Sequence, residues 1–126
     1  MSRARGATTR RQRAQRRGRF AESLCLWHLR LRGWRILARG WRCPSGEIDI
    51  LARRGRVLAI IEVKSRNQID AAASALLPRQ RRRIARAAEA FLLSRPDLTQ
   101  LEPRFDLMLV APLRVPQHWP AAWQTD

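Results

Sequence analysis

Two short runs of β-branched and apolar residues, 46–51 and 58–64, constrain the fold most. Both runs carry acids where a half-buried strand normally carries apolar side chains. Between them lies Arg53-Arg54-Gly55-Arg56, in which Gly55 can adopt the positive φ that hairpin turns require. The sequence therefore predicts an antiparallel β-hairpin. Charged side chains at such strand positions indicate a chemical role.

The register of this hairpin determines which acids meet. With Arg54 and Gly55 as the two loop residues, Asp49 lies opposite Ile60. Asp49 and Glu62 then become diagonal neighbours, roughly 7–8 Å apart at the backbone, and both carboxylates can reach one ion. One face is predicted to carry Glu47, Asp49, Ile60, Glu62 and Lys64, and the other Ile48, Ile50, Ile61 and Val63.

Carboxylates gathered on one face repel each other unless a cation neutralises them, and oxygen ligands suit Mg²⁺ or Mn²⁺. Lys64 would stand beside such an ion, where its ammonium can stabilise phosphate charge or hold a water for attack on phosphorus. It is the only lysine among the 26 Lys and Arg residues, so a compact amine is retained here alone. The alternative is a hairpin with solvated acids and a surface lysine.

These motifs carry a family resemblance. Glu22 on an early helix, then Gly46-Glu47-Ile48-Asp49, then Glu62-Val63-Lys64, resemble the PD-(D/E)XK nuclease superfamily. Their order and spacing are similar to those of archaeal Holliday junction resolvases. From about residue 18 to residue 123 the chain resembles more closely the YraN-like family of small bacterial proteins. The resemblance implies a restriction endonuclease-like fold, a mixed β-sheet flanked by helices.

The same resemblance implies roles for single residues. Glu22, Asp49, Glu62 and the carbonyl of Val63 would bind Mg²⁺ or Mn²⁺. Lys64 would position the attacking water. Without the resemblance, Glu22 is better interpreted as a solvated helix acid.

A second helix is predicted to begin at Pro78, a favourable first-turn residue, and to continue through Leu92. Its first turns carry five arginines and no acid, which favours contact with nucleic acid over a solvated face. This arginine ridge consists of Arg79, Arg81, Arg82, Arg83 and Arg86. Proteins of the resembled family often have a lysine where this chain has Gln80. Arg66 would grip a phosphate at the mouth of the site. The predicted nucleic-acid-binding residues are Arg66, Arg79, Gln80, Arg82 and Arg83.

The composition points to a polyanionic partner. A chain of 126 residues suits one domain, 45% hydrophobic residues suffice for a core, and the formal net charge is +16. We predict nucleic acid, DNA first, as the partner. No membrane contact is predicted, because no apolar run approaches a membrane span, and without a secretory signal we expect a cytoplasmic protein. Cys25 and Cys43 are predicted to be reduced thiols, with Cys25 in the core.

Residues 1–17 are rich in Arg and nearly free of apolar side chains, which predicts a disordered basic tail. An endonuclease-like domain is predicted over residues 18–126. Its first helix is expected to bury the stripe formed by Phe20, Leu24, Trp27 and Leu31.

Two further strands are predicted, from Trp34 to Ala38 and from Arg104 to Val110. Gly40 and the residues that follow are expected to form a loop leading to Gly46. Asp106 is expected to be structural. The segment from Pro112 onwards is expected to be irregular.

The sequence as a whole predicts a single α/β domain with a mixed sheet, an antiparallel hairpin that carries the site, and helices on both faces. The predicted function is metal-dependent hydrolysis of phosphodiester bonds in DNA, with branched or processed DNA among the candidate substrates. The alternative is a non-catalytic protein that keeps the fold and binds nucleic acid, for example in association with RNA or the ribosome. The sequence leaves a homodimer open.

Overall fold

The computed structural model describes residues 19–65 and 78–124. The predicted tail over residues 1–17 and the predicted phosphate ligand Arg66 lie outside these ranges. In chain order, the elements are helix α1 (residues 19–31), β1 (Arg35–Cys43), β2 (Gly46–Arg54), β3 (Val57–Ser65), helix α2 (Pro78–Ser94), a 3₁₀ turn (Pro96–Leu98), β4 (Glu102–Val110) and β5 (Gln117–Trp123).

The described strands form one mixed sheet with the order β1-β2-β3-β4-β5. Strands β3 and β4 are parallel, and the other neighbouring pairs are antiparallel. Two-residue turns join β1 to β2 and β2 to β3, whereas a parallel pair needs a longer crossover, which here includes α2. The predicted α/β architecture with a mixed sheet is confirmed.

The two helices pack on opposite faces of the sheet. Residues of β3 alternate between the faces, since Leu58 and Ile60 join the core under α2 whereas Ala59 and Ile61 join the core under α1. Phe91 of α2 is among the buried side chains, each of which contributes about 1.5–3 kcal/mol by leaving water. The α2 side of the first core comprises Ile84, Ala87, Ala88 and Phe91, and the α1 side of the second comprises Cys25, Leu26 and Leu29.

The predicted register of the hairpin between β2 and β3 was wrong by two residues. Ile50 pairs with Ile61 and Leu51 with Ile60, so the two loop residues are Gly55 and Arg56. Gly55 has φ 61° and occupies the first loop position, where a type II′ turn requires a positive φ. Because a shift of two residues preserves the side-chain alternation, Glu62 and Lys64 of β3 still share a face as predicted.

The predicted grouping of Ile48 with Ile50 was also wrong. Ile48 belongs to the core under α2 together with Leu51, whereas Ile50 belongs to the core under α1. Gly40 of β1, with φ 57°, falls between the cross-strand pairs Arg39↔Ile50 and Trp41↔Ile48. The register of the strand pair is unchanged across Gly40, and its one irregularity lies between Ile36 and Ala38.

Helix α1 buries a different face from the predicted one. Phe20, Trp27 and Leu31 are 67%, 63% and 83% exposed, whereas Cys25 and Leu29 are fully buried. A helix can satisfy the three-to-four spacing on two faces, and here the face that packs on the sheet bears the smaller side chains. The prediction that Cys25 lies in the core is confirmed, and both cysteines are free.

One predicted strand was too short, and another strand was not predicted. Strand β1 runs on through Gly40 to Cys43, where a loop was expected, and the turn is confined to residues 44–45. The segment expected to be irregular contains β5. Strand β4 and the start of α2 at Pro78 match the prediction.

Candidate active site

Two carboxyl groups meet where the ladder between β2 and β3 ends. Ile50 and Ile61 form the last pair of that ladder, and the residues next to them are Asp49 and Glu62. Asp49 Oδ2 accepts a hydrogen bond from the Val63 N–H at 2.8 Å. A hydrogen bond also joins the two carboxyl groups. Asp49 therefore contacts both the backbone and the side chain of β3 at this point.

Lys64 completes this group. Its Nζ lies 3.3 Å from Glu62 Oε1, and the two side chains are only 15% and 13% exposed. Lys64 and Glu62 lie two residues apart on β3 and so project to the same face. The ammonium is thus held in a largely buried position beside the carboxyl pair. Such a position has a low effective dielectric, which strengthens electrostatic contacts.

Both carboxyl groups bind protons more tightly than free acids do. Burial, followed by the charge of Asp49, raises the pKa of Glu62 from 4.5 to about 8, although Lys64 opposes the rise. Burial, with the charges of Glu22 and Glu47, raises the pKa of Asp49 to about 6, against the hydrogen bond from Val63. Burial and mutual repulsion therefore favour the protonated form of the pair near neutral pH.

Glu22, the predicted third ligand, has a partner of its own. Its Oε2 lies 3.3 Å from Arg39 Nε, and its side chain is 17% exposed. Arg39 is further held by the Arg19 carbonyl and the Ser23 hydroxyl. Glu22 is still close enough for its charge to raise the pKa of Asp49. Across residues 19–65 and 78–124, no three His, Cys, Asp or Glu side chains are placed to hold a metal ion.

The N-terminal turns of α2 lie over the start of β2. A methyl group added at Gly46 would come within 3.1 Å of the carbonyl oxygen of Arg83, so glycine permits this close approach. The helix therefore brings its predicted nucleic-acid ligands to the sheet end that carries the acid pair. Arg79, Arg82 and Arg83 are exposed, and Gln80 is half-buried.

The arginine ridge of α2 has no acidic partner in the described part of the chain, where the salt bridges involve other residues. Arg81 is half-buried, and its Nε has no hydrogen-bond acceptor among the described residues. Guanidinium groups without acids are available to phosphate oxygens.

A second polar cluster was only partly foreseen. Asp106 is fully buried; it accepts two hydrogen bonds from Arg104, one from the Ala121 N–H, and lies 2.7 Å from His118 Nε2. Burial alone would raise the pKa of Asp106, but these partners outweigh it and hold the pKa below its usual value. The structural role expected for Asp106 is confirmed. An acid inside the apolar run of β4 was the available signal, whereas nothing marked His118 as its partner.

The fold and this group of side chains define an α/β protein whose central hairpin holds a largely buried acid pair and a lysine at one end of a mixed sheet. The chain belongs to the family described as "Uncharacterised protein family UPF0102", whose profile matches residues 21–110. The predicted membership of the YraN-like family is thereby confirmed. Placement within the PD-(D/E)XK superfamily stays a prediction.

Relatives from other bacteria match most of the chain. It is 51% identical over 119 residues to "UPF0102 protein amb4503" of Paramagnetospirillum magneticum, covering 91% of this chain and 92% of the relative. It is 50% identical over 111 residues to a "UPF0102 protein" of Parvibaculum lavamentivorans, covering 88% and 84%. Neither helix in the described residues is long and apolar enough to cross a membrane.

Proposed function

We propose that this protein hydrolyses phosphodiester bonds in DNA with the help of a divalent metal ion. The observation that carries the proposal is the largely buried, hydrogen-bonded pair of Asp49 and Glu62, with Lys64 Nζ 3.3 Å from Glu62. Titratable groups with strongly perturbed pKa values that share one polar site are typical of catalytic centres. DNA as the substrate would place the protein in the cytoplasm.

The residues at this site suit Mg²⁺ or Mn²⁺ in their chemistry. Two adjacent carboxyl groups compete for a single proton, as their raised pKa values indicate, and a hard cation would neutralise both. Asp49, Glu62 and the carbonyl of Val63 would hold the ion. Glu22 would join them only after leaving Arg39, to which it is bound. When bound, the ion would supply electrostatic stabilisation of the phosphate in the transition state.

Each side chain then has a distinct task. Lys64 would position the attacking water and stabilise negative charge on the phosphate, because an ammonium in a largely buried site acts with little screening. The Val63 N–H orients Asp49 by its hydrogen bond to Oδ2. Loss of the shared proton would leave the carboxylates free to act as ligands. Activity would therefore rise with pH as the pair ionises.

The surface around the site supports a nucleic-acid substrate. Arg79, Gln80, Arg82 and Arg83 lie on the α2 turns that cover the start of β2 near Gly46. The formal net charge of +16 would attract DNA and make its binding strongly dependent on salt. Arg66 and the basic tail over residues 1–17 would add contacts. The working domain would be residues 18–126.

A nucleic-acid-binding protein without turnover is the second candidate. The observation that favours it is the ion pair between Glu22 and Arg39, which occupies the predicted third ligand. No group of three potential ligands is assembled among the described residues. In this reading, Lys64 and Glu62 would form a structural ion pair, and the arginine ridge of α2 would bind RNA or DNA.

A cleavage panel separates the two functions. Linear, nicked, flapped and four-way DNA would be incubated with Mg²⁺, with Mn²⁺ and with chelator, and the variant Glu62→Gln would serve as the matched control. We expect cleavage of at least one substrate that requires metal and is lost in the variant. Binding without cleavage under any metal would overturn the nuclease proposal in favour of the second candidate.

The panel also tests the tail. Deleting residues 1–17 is expected to flatten the salt dependence of DNA binding without removing metal-dependent nicking, because the tail would contribute only phosphate contacts. Loss of all binding would mean that the folded domain has no nucleic-acid surface of its own.

A further inference from the structure

Five arginines gather at the sheet end that carries the β2–β3 turn. We refer to them as the hairpin-end cluster. Four of them are exposed, and Arg53 is half-buried. They come from the turn after α1, the start of β1 and the β2–β3 hairpin. The members are Arg32, Arg35, Arg53, Arg54 and Arg56.

Two members of the cluster are neighbours across the β1–β2 strand pair. Arg35 of β1 and Arg53 of β2 are cross-strand partners. Like charges in that position repel, which destabilises the strand pair. Repulsion of this kind is relieved when an anion binds between the guanidinium groups. The strand pairing therefore carries a repulsion between two arginines, which a bound polyanion would reduce.

A third member is fixed in place. The guanidinium of Arg54 stacks 4.5 Å from the centre of the Trp34 ring, and its Nη1 donates a hydrogen bond to the Arg32 carbonyl at 3.2 Å. Trp34 is 4% exposed and so is itself immobilised by packing. A guanidinium restrained in this way loses little freedom when it binds a phosphate.

Two acids, Asp97 and Glu102, lie near the cluster, and neither forms a salt bridge with it among the described residues. Asp97 is paired with Arg95, whose hydrogen bond is the main influence that lowers the pKa of Asp97, with a smaller contribution from the charge of Arg53. The Glu102 N–H donates a hydrogen bond to the Arg56 carbonyl, and the Glu102 side chain is exposed. Within the described ranges, no member of the cluster forms a salt bridge.

The cluster is distant from the acid pair. Along β3, Val57 next to the turn and Glu62 at the site are five residues apart, which corresponds to roughly 17 Å of extended strand. The arginine ridge of α2 lies at the site end, above Gly46. The described residues thus carry two basic surfaces, one at each end of the central hairpin.

We infer that the hairpin-end cluster is a second nucleic-acid-binding surface and that one molecule holds two segments of nucleic acid, one at each end of the hairpin. The inference rests on the proposed nucleic-acid binding but not on cleavage. Phosphates along a nucleic-acid strand have fixed spacing, whereas the headgroups of an anionic membrane are mobile. Guanidinium groups that are fixed by a sheet and by an aromatic ring therefore suit nucleic acid better.

The test is a bridging assay in chelator, in which immobilised duplex DNA captures a second, labelled duplex through the full-length protein. The variant R35Q/R56Q removes two exposed charges that form no side-chain hydrogen bond or salt bridge within residues 19–65 and 78–124, and R79Q/R82Q is the matched pair on α2. We expect each double variant to abolish capture of the labelled duplex while leaving binding to a single duplex detectable. We also expect the logarithmic salt slope of binding to fall by about 2 for each.

Unchanged capture by R35Q/R56Q would overturn the inference, because bridging would then come from the tail or from a dimer. Loss of binding to phosphatidylglycerol vesicles in that variant, with bridging intact, would also overturn it in favour of a membrane surface. If thermal melting shows that R35Q/R56Q does not fold, R35K/R56K and the single variant Arg56→Gln replace it. R35K/R56K keeps the charge and is expected to retain at least half of the capture. Arg56→Gln removes one charge and is expected to lower the capture. Since the assay contains no metal, a failure of cleavage leaves its result intact.

Discussion

The replacement Glu62→Gln tests whether the acid pair holds a proton in the folded protein. Glutamine matches glutamate in shape, stays neutral at every pH and can still hydrogen-bond Asp49 and Lys64. In the parent protein the pKa of Glu62 is raised from 4.5 to about 8, mainly by burial. The folded state therefore keeps a proton over a pH range in which the unfolded chain has lost it. The variant has no such proton at this position.

The sign and size of the effect follow from linkage. When the folded state binds one proton more than the unfolded state, the free energy of unfolding falls by about 1.4 kcal/mol for each pH unit. Because Asp49 and Glu62 share a proton, we count one proton for the pair. From pH 5 to pH 8 the limit is about 4 kcal/mol, and we expect roughly 3 kcal/mol for a site that water still reaches in part.

The measurement is urea unfolding followed by tryptophan fluorescence at several pH values, for the parent and the variant in parallel. Burial lowers the pKa of His28, which contributes the opposite trend in part of this range, but it does so equally in both proteins. The difference between the two unfolding free energies isolates the pair. A difference that is constant from pH 5 to pH 8, or that favours the parent as pH rises, would refute the shared proton.

Metal adds a second test of the same pair. An ion that replaces the proton should stabilise the parent more at pH 8 than at pH 5, because ligand carboxyl groups must ionise to bind it. We expect excess Mn²⁺ to reduce the pH dependence of the parent and to leave the variant unchanged. Equal stabilisation of both proteins would place the ion elsewhere.

Three further predictions use other parts of the structure. Lys64→Arg should leave folding and DNA affinity within about 1 kcal/mol while lowering any single-turnover cleavage rate at least ~100-fold, since guanidinium is bulkier and keeps its proton; undiminished cleavage would remove Lys64 from the site. Gly46→Ala should cost about 1–3 kcal/mol in urea unfolding, because the added methyl would lie 3.1 Å from the Arg83 carbonyl, and a smaller loss would mean that α2 shifts freely. Asp106→Asn should cost about 3–5 kcal/mol by leaving Arg104 partly buried without its acid, and a melting temperature equal to that of the parent would contradict this.

The hairpin and its acids could be predicted because strand alternation fixes which side chains share a face. Glu62 and Lys64 share one whatever the turn. The turn position could not be predicted, since Gly55 suits either loop position and only the backbone shows that it takes the first. The position of Gly40 inside a strand could not be predicted either. A glycine with positive φ inside a strand looks, in sequence, like the start of a loop.

The buried face of helix α1 and the presence of strand β5 could not be predicted from local sequence pattern. On α1, Trp27 and Leu31 match helical spacing as well as the buried Cys25 and Leu29 do, so only packing decides between the faces. Strand β5 follows a proline-containing stretch, and its pairing is reinforced by hydrogen bonds to a distant side chain, Asp106. The ion pair of Glu22 with Arg39 is likewise a tertiary contact, which the sequence around either residue does not predict.

The mixed order of the sheet bears on how the site assembles during folding. Strands β1, β2 and β3 are joined by two-residue turns, and contacts of such short range form in about 1–10 μs. The parallel pairing of β3 with β4 must first close the long connection that contains α2, which is slower. Asp49 and Glu62 therefore meet as hydrated, ionised groups on an early hairpin. Water leaves them only when the later elements pack, so folding at neutral pH ends with the uptake of a proton.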